Sequence, residues 1–134
     1  MKKVLILLFI ANFCLAQQTK RKLVWEENFS EPVLNESVWN FELGDGCPNL
    51  CGWGNNERQV YTTKNHEIKN GNLIIHAKKE GNSYTSTKIT TKDKKIFQYG
   101  RMEARAKLPV GHGIWPAFWM LGQNISQVGW PKSG

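Results

Sequence analysis

Cysteine and histidine are both scarce, at three each in 134 residues, and that scarcity excludes several chemistries. No second Cys or His pair stands near Cys47 and Cys51 to complete a four-ligand zinc shell. His66, His76 and His112 are isolated, and no Ser-His-Asp or Cys-His arrangement and no phosphate-binding glycine loop can be assembled. Helical periodicity is missing as well: no window of about a dozen residues holds apolar side chains at i, i+3, i+4 and i+7. No internal repeat and no low-complexity tract appears. The formal charge is +7, yet Lys and Arg never form a run of five or more. Scattered along alternating segments, they read as solvated strand faces rather than a nucleic-acid surface.

Hydrophobic residues make up 40% and charged residues 22%, the balance of a chain that folds. Length allows a single domain at most. Residues 1–16 read as a secretory signal: Lys2 and Lys3 open it, Val4 to Phe13 form the apolar stretch, and Ala16 suits cleavage. The apolar run is too short and too early for a membrane span, and the bulky Phe13 before Cys14 speaks against a lipid anchor. Removal of the signal leaves residues 17–134 with two cysteines, expected to be secreted, periplasmic or at the cell surface and to have no membrane partner. In an oxidising compartment Cys47 and Cys51 are expected to pair across Pro48-Asn49-Leu50; a metal site is the competing reading.

Strand signals run through the rest. Leu23-Val24-Trp25 opens one expected strand before Phe29, and Val38 to Leu43 forms a second. Asn70-Gly71 is a tight-turn pair. Leu73 to Lys79, Tyr84 to Thr91, Tyr99 to Leu108 and Ile114 to Leu121 follow, broken by Gly, Asn and Pro turns. Tyr99 to Leu108 alternates most cleanly, with Met102, Ala104, Ala106 and Leu108 on one face and Arg101, Glu103, Arg105 and Lys107 on the other. Short strands in series indicate an all-β antiparallel sandwich or barrel. The last segment, Val128 to Gly134, brings no closing element, so the sandwich is expected to be incomplete.

Glycoside chemistry requires a pair of flanking carboxylates, and no such pair emerges from the residues. Glu26 and Glu27 are adjacent and so diverge in a strand. Glu103 sits between Arg101 and Arg105 as an ion-pair partner. The aromatic residues say more. Trp115 and Trp119, four apart, share a strand face over about 13 Å, a spacing suited to stacking on successive sugar rings and equally to a core.

Four stretches resemble one family. Cys47 to Thr62 (C-P-N-L-C-G-W-G-N-N-E-R-Q-V-Y-T) is similar to the loop-and-strand motif of bacterial laminarinases of glycoside hydrolase family 16. Phe97 to Pro109 (F-Q-Y-G-R-M-E-A-R-A-K-L-P) and Gly113 to Gly122 (G-I-W-P-A-F-W-M-L-G) resemble later motifs of that family in the same order. Val128 to Gly134 (V-G-W-P-K-S-G) resembles the segment that leads into its catalytic motif. The likeness extends from about Leu23 to the last residue.

The resemblance implies a jelly-roll β-sandwich with a concave substrate cleft, in an endo-enzyme that cleaves β-1,3 or mixed β-1,3-1,4 glucans with retention. The family's E-x-D-x-x-E motif would begin just after Gly134. The chain as it stands is therefore expected to be the N-terminal part of such an enzyme, to contain no catalytic residue and to be inactive alone. The alternative is a non-catalytic β-glucan-binding protein of the same fold. In either case the implied partner is a β-glucan polysaccharide. The resemblance also assigns roles in the cleft. Asn56 matches an asparagine that bonds the sugar nearest the cut, and Trp119 the aromatic platform beneath it. Trp115 is implied to line the cleft beside them, and Trp130 to form a wall. Lys88 stands where the family commonly has Arg in a T-S-x-R pattern; here the chain reads Thr85-Ser86-Thr87-Lys88, which keeps the charge and loses the forked donor set. No cofactor is required. A structural calcium is implied on the convex side, held partly by the backbone carbonyl at Gly71.

Overall fold

The computed structural model describes residues 21–133, so the expected signal segment lies outside the described residues. Seven short strands carry the architecture: β1 (Asn40–Glu42), β2 (Gln59–Tyr61), β3 (His66–Lys69), β4 (Asn72–Ile75), β5 (Lys78–Glu80), β6 (Ser83–Ser86) and β7 (Lys88–Thr90). A 3-10 turn at Cys51–Gly54 precedes β2, and a single helical turn, α1 (Ile125–Val128), lies near the end. Among the described residues no helix is long and apolar enough to cross a membrane.

Two hairpins follow from local sequence. β3 and β4 pair antiparallel, with Lys69 opposite Asn72, across a two-residue loop. Both loop residues have positive φ, 52° at Asn70 and 69° at Gly71, the geometry that makes Asn-Gly the favoured hairpin pair. β5 and β6 close over Gly81-Asn82, with Glu80 opposite Ser83. β1 pairs antiparallel with the distant β7, setting Glu42 opposite Lys88.

One pairing departs from the antiparallel expectation. β2 runs parallel to β6, with Tyr61 beside Ser86. Its other edge meets Gly44 in an antiparallel bridge, closed by the Tyr61 and Gly44 amides at 2.8 and 3.0 Å. β1 therefore pairs with residues 88–90 and then gives way to β2, which pairs with residues 84–86. Polar side chains fill this fork. Asn65 is only 3% exposed and Thr87 only 5%. The Thr62 hydroxyl donates to Asn65 Oδ1 at 2.6 Å, and Asn65 Nδ2 donates to the Thr85 hydroxyl at 2.9 Å. The Thr87 hydroxyl donates to the Thr62 carbonyl at 2.8 Å, and the His76 amide to the Asn65 carbonyl at 2.8 Å. Buried polar groups are tolerated where each finds a partner, and here the partners join three stretches of chain, at 62–65, at His76 and at 85–87.

Apolar burial is thin by comparison. Leu34 and Val38 are the buried hydrophobic residues among those described. Trp25, Phe29, Trp39 and Phe97 form an aromatic cluster, with contacting ring centroids 5.9 to 6.2 Å apart. Glu27 fixes it, accepting from Trp39 Nε1 at 3.1 Å and from the Phe29 amide at 2.8 Å. The adjacent carboxylates Glu26 and Glu27 thus include one with a packing duty.

Three expected strands do not form. Residues 23–25, 99–108 and 114–121 are without ladder pairing. Alternation in a sequence fixes which side chains share a face, but a strand also needs a neighbouring backbone to accept its N–H and C=O bonds. Among the described residues no such neighbour lies beside these segments. Their apolar side chains are accordingly exposed, including Tyr99, Leu108, Trp115 and Phe118. Glu103 pairs with Arg101, as its position between two arginines led one to expect.

Candidate functional site: an ammonium among three aromatic rings

The loop from Gly44 to Glu57 builds one wall of the site. A disulfide joins Cys47 and Cys51, which decides between the two readings of that pair. Next to it Gly46 has φ +85°, and a Cβ placed there would lie 2.1 Å from the Leu50 carbonyl oxygen and 3.2 Å from the Trp53 ring. Glycine is thus required for both the backbone conformation and the close approach. The Leu50 amide closes the turn on the Gly46 carbonyl at 2.7 Å. Trp53 follows with φ 52° and ψ 26°, a left-handed conformation that costs a bulky residue about 1–2 kcal/mol. Its indole N–H is buried without an acceptor. Two unfavourable features therefore converge on one side chain, and strain of this kind gathers at functional sites.

What offsets them is Lys88. Its Nζ stands 3.9 Å from the centroid of the Trp53 ring, 5.3 Å from that of Trp119 and 5.7 Å from that of Tyr61. All three fall within the roughly 6 Å reach of a cation–π attraction. The ammonium also meets Glu42 Oε2 at 2.6 Å. That oxygen is sequestered from water and has no directed hydrogen bond, so the contact is one of charge with charge. Register places the pair, because Glu42 and Lys88 are directly opposite on β1 and β7. The Lys88 side chain is only 18% exposed.

Tyr61 ties the cluster to β2. Its ring lies 5.7 Å from that of Trp53, and its hydroxyl donates to Glu57 Oε2 at 2.7 Å. Gln59, on the same strand face, donates from Nε2 to Glu57 Oε2 at 2.7 Å and to the Tyr61 hydroxyl at 2.8 Å. Burial, reinforced by the bond to the Glu57 carboxylate, pushes the Tyr61 phenol up to about 12. It therefore remains a neutral donor at any ordinary pH.

Of the residues singled out in the sequence, Lys88 and Trp119 are brought together. Asn56 is exposed in the loop after the 3-10 turn, with φ 57°. Trp115 is 86% exposed and Trp130 73% exposed, and neither joins the aromatic contacts around Lys88. Glu42, Trp53, Glu57, Gln59 and Tyr61 were not foreseen. The motif Cys47 to Thr62 contained four of them, and β-alternation of Gln59 and Tyr61 was the available signal; the reach of Glu42 across to Lys88 had none. At the turn where calcium is implied, the nearest atom to a Cβ on Gly71 is the Asn28 carbonyl oxygen at 3.6 Å. Among the described residues no group of three or more His, Cys, Asp or Glu is placed to hold a metal.

The site thus offers flat apolar faces beside clustered hydrogen-bonding groups, a combination suited to pyranose rings, whose C–H faces are apolar and whose edges are polar. Residues 54–129 match the family described as glycosyl hydrolases family 16. The crystal structure of a laminarinase from Flavobacterium sp. UMI-01 is similar at 70% identity and a TM-score of 0.81, over 84% of this chain and 48% of that one. A glucan endo-1,3-beta-glucosidase of Cryptopygus antarcticus is 40% identical over 133 residues, which cover 91% of this chain and 46% of the relative. A beta-1,3-glucan-binding protein of Penaeus monodon is 37% identical over 113 residues, covering 79% and 28%. The chain spans less than half the length of each of these three proteins. Its fold class is the all-β jelly-roll sandwich, of which it holds a part. By the motif from Gly54 to Gly129, and by its likeness to solved laminarinases, this chain belongs to family 16 of the glycosyl hydrolases.

Proposed function

We propose that this chain supplies the sugar-holding part of the cleft of a secreted endo-β-glucanase that acts on β-1,3 or mixed β-1,3-1,4 glucans. The observation that carries the reading is Trp119, which leans on Lys88 at 5.3 Å and keeps 55% of its surface open. An anchored aromatic with an open surface is a stacking platform for a sugar ring. Asn56, Trp115 and Trp130, all exposed, extend the contact along a polymer. Hydrolysis proceeds with retention in this reading. One carboxylate attacks the anomeric carbon while a second protonates the departing oxygen, and water then releases the glycosyl-enzyme. Both carboxylates come from the E-x-D-x-x-E motif expected after Gly134, so the 134-residue chain is inactive alone. Export through residues 1–16 accords with the Cys47–Cys51 disulfide, which suits an oxidising compartment.

A second reading, a non-catalytic β-glucan-binding protein, draws on the Penaeus monodon relative. One experiment separates them. Residues 23–133 replace the matching segment of the Flavobacterium laminarinase, and the chimera is assayed on laminarin with NMR of the first-formed anomer. Hydrolysis with retained β-configuration is expected. A chimera that melts cooperatively and binds laminarin without cleaving it favours the binding protein; one that melts cooperatively and does neither overturns both readings.

A further inference from the structure

Lys88 points an ammonium into a pocket of aromatic rings, and the pocket is complete without any external ligand. Trp53, Tyr61 and Trp119 present three rings within 5.7 Å of the charge, and Glu42 stands 2.6 Å from it. The three rings come from separate segments: the disulfide-tied loop, β2, and the 114–121 segment that lacks ladder bonds. We propose that Trp53, Tyr61, Trp119 and Glu42 form a binding site for a primary alkylammonium, that the protein fills it with its own Lys88, and that Lys88 and Glu42 thereby act as positioning residues holding Trp119 in place.

The physical case rests on what each ring has besides Lys88. Trp53 and Tyr61 are held by the loop and by β2, and both contact each other and neighbouring backbone. Among the described residues no strand pairs with the segment of Trp119, and its ring meets the Lys88 ammonium. The ammonium, carried on β7, therefore ties the Trp119 ring to the sheet. Glu42 does for the cation what the rings cannot: it neutralises the charge and sets the Lys88 head group by register. Arg at this position would keep the charge and stack on the rings as a plane rather than a point.

The inference rests on the reading of Trp119 as a sugar platform only for its consequence on binding, so its test needs no sugar. The full chain is treated with limiting acetylating reagent, and the labelling of each lysine is read by mass spectrometry. Lys88 is expected to react several-fold more slowly than Lys78 and Lys79, which sit on the exposed β5. Glu42→Gln and Trp119→Ala are each expected to raise its rate toward theirs. Lys88 reacting as fast as Lys78 in the unaltered chain would overturn the proposal. A second measurement asks for the site itself. In Lys88→Ala the vacated pocket should take up methylammonium, seen as a saturable shift in tryptophan emission that equal sodium chloride does not produce. Absence of a saturable shift, with Lys88 protected in the unaltered chain, would reduce the cage to packing and also overturn it. In the laminarinase chimera, Lys88→Ala should weaken laminarioligosaccharide binding about tenfold, with methylammonium restoring part of it. A chimera that binds no sugar refutes the glucanase reading and leaves the labelling result standing.

Discussion

Replacing Gly46 by Ala should dismantle the wall that holds Trp53 over Lys88. The new Cβ would sit 2.1 Å from the Leu50 carbonyl oxygen, 3.0 Å from its carbon and 3.2 Å from the Trp53 ring. Ordinary contact begins near 3.4 Å, so the Leu50 backbone must retreat by more than 1 Å. Leu50 and Trp53 are joined by the Trp53 amide to Leu50 carbonyl bond at 2.8 Å, so the indole moves with it. A cation–π contact at 3.9 Å is steep in distance and is lost first. The backbone conformation at φ +85° adds about 1–2 kcal/mol for any side chain. Gly44 provides the control, because it has the same φ of +85° with nothing within 4 Å of an added Cβ. Gly44→Ala therefore carries the backbone cost without the clash. Acetylation of Lys88 and tryptophan emission should change in Gly46→Ala and stay near the original values in Gly44→Ala. Equal changes in the two variants, or none in either, would refute the account of the loop.

The remaining expectations concern the fork, the phenol and the platform. Asn65→Leu leaves the Thr62 and Thr85 hydroxyls without their partner in a buried setting. A loss of about 1–3 kcal/mol is expected in urea unfolding of the chimera, and Thr87→Val should cost about 1 kcal/mol by removing the bond to the Thr62 carbonyl. Tyr61 should ionise near pH 12 by absorbance at 295 nm, and Glu57→Gln should lower that midpoint because the bonded carboxylate raises it. Since the folded value lies above the ordinary 10.0, the phenol's contribution to stability is full below pH 10 and is lost as pH rises toward 12; Tyr61→Phe should flatten that decline. Trp119→Ala should reduce laminarioligosaccharide affinity of the chimera more than Trp115→Ala does, as measured by calorimetry, since Trp119 is anchored and Trp115 is 86% exposed.

Local chemistry was legible from residue order alone. The Asn70-Gly71 turn, the Cys47–Cys51 pairing as one of two readings, the all-β class and the family motifs all depend on neighbours in sequence. Lys88 was recognisable only as a departure from an arginine, and Trp119 as one of two tryptophans at strand spacing. Strand formation at 99–108 and 114–121 was not settled by alternation, because hydrogen-bond partners for a strand come from elsewhere in the chain. The parallel pairing of β2 with β6 was also illegible, since parallel neighbours are remote in sequence and carry no turn signal. Tertiary structure alone decided which tryptophans cluster with other rings and which meet Lys88. Trp25 and Trp39 join Phe29 and Phe97, while Trp53 and Trp119 face Lys88. It alone brought Glu42 to Lys88 across 46 positions of chain, because an ion pair is fixed by strand register and not by sequence spacing.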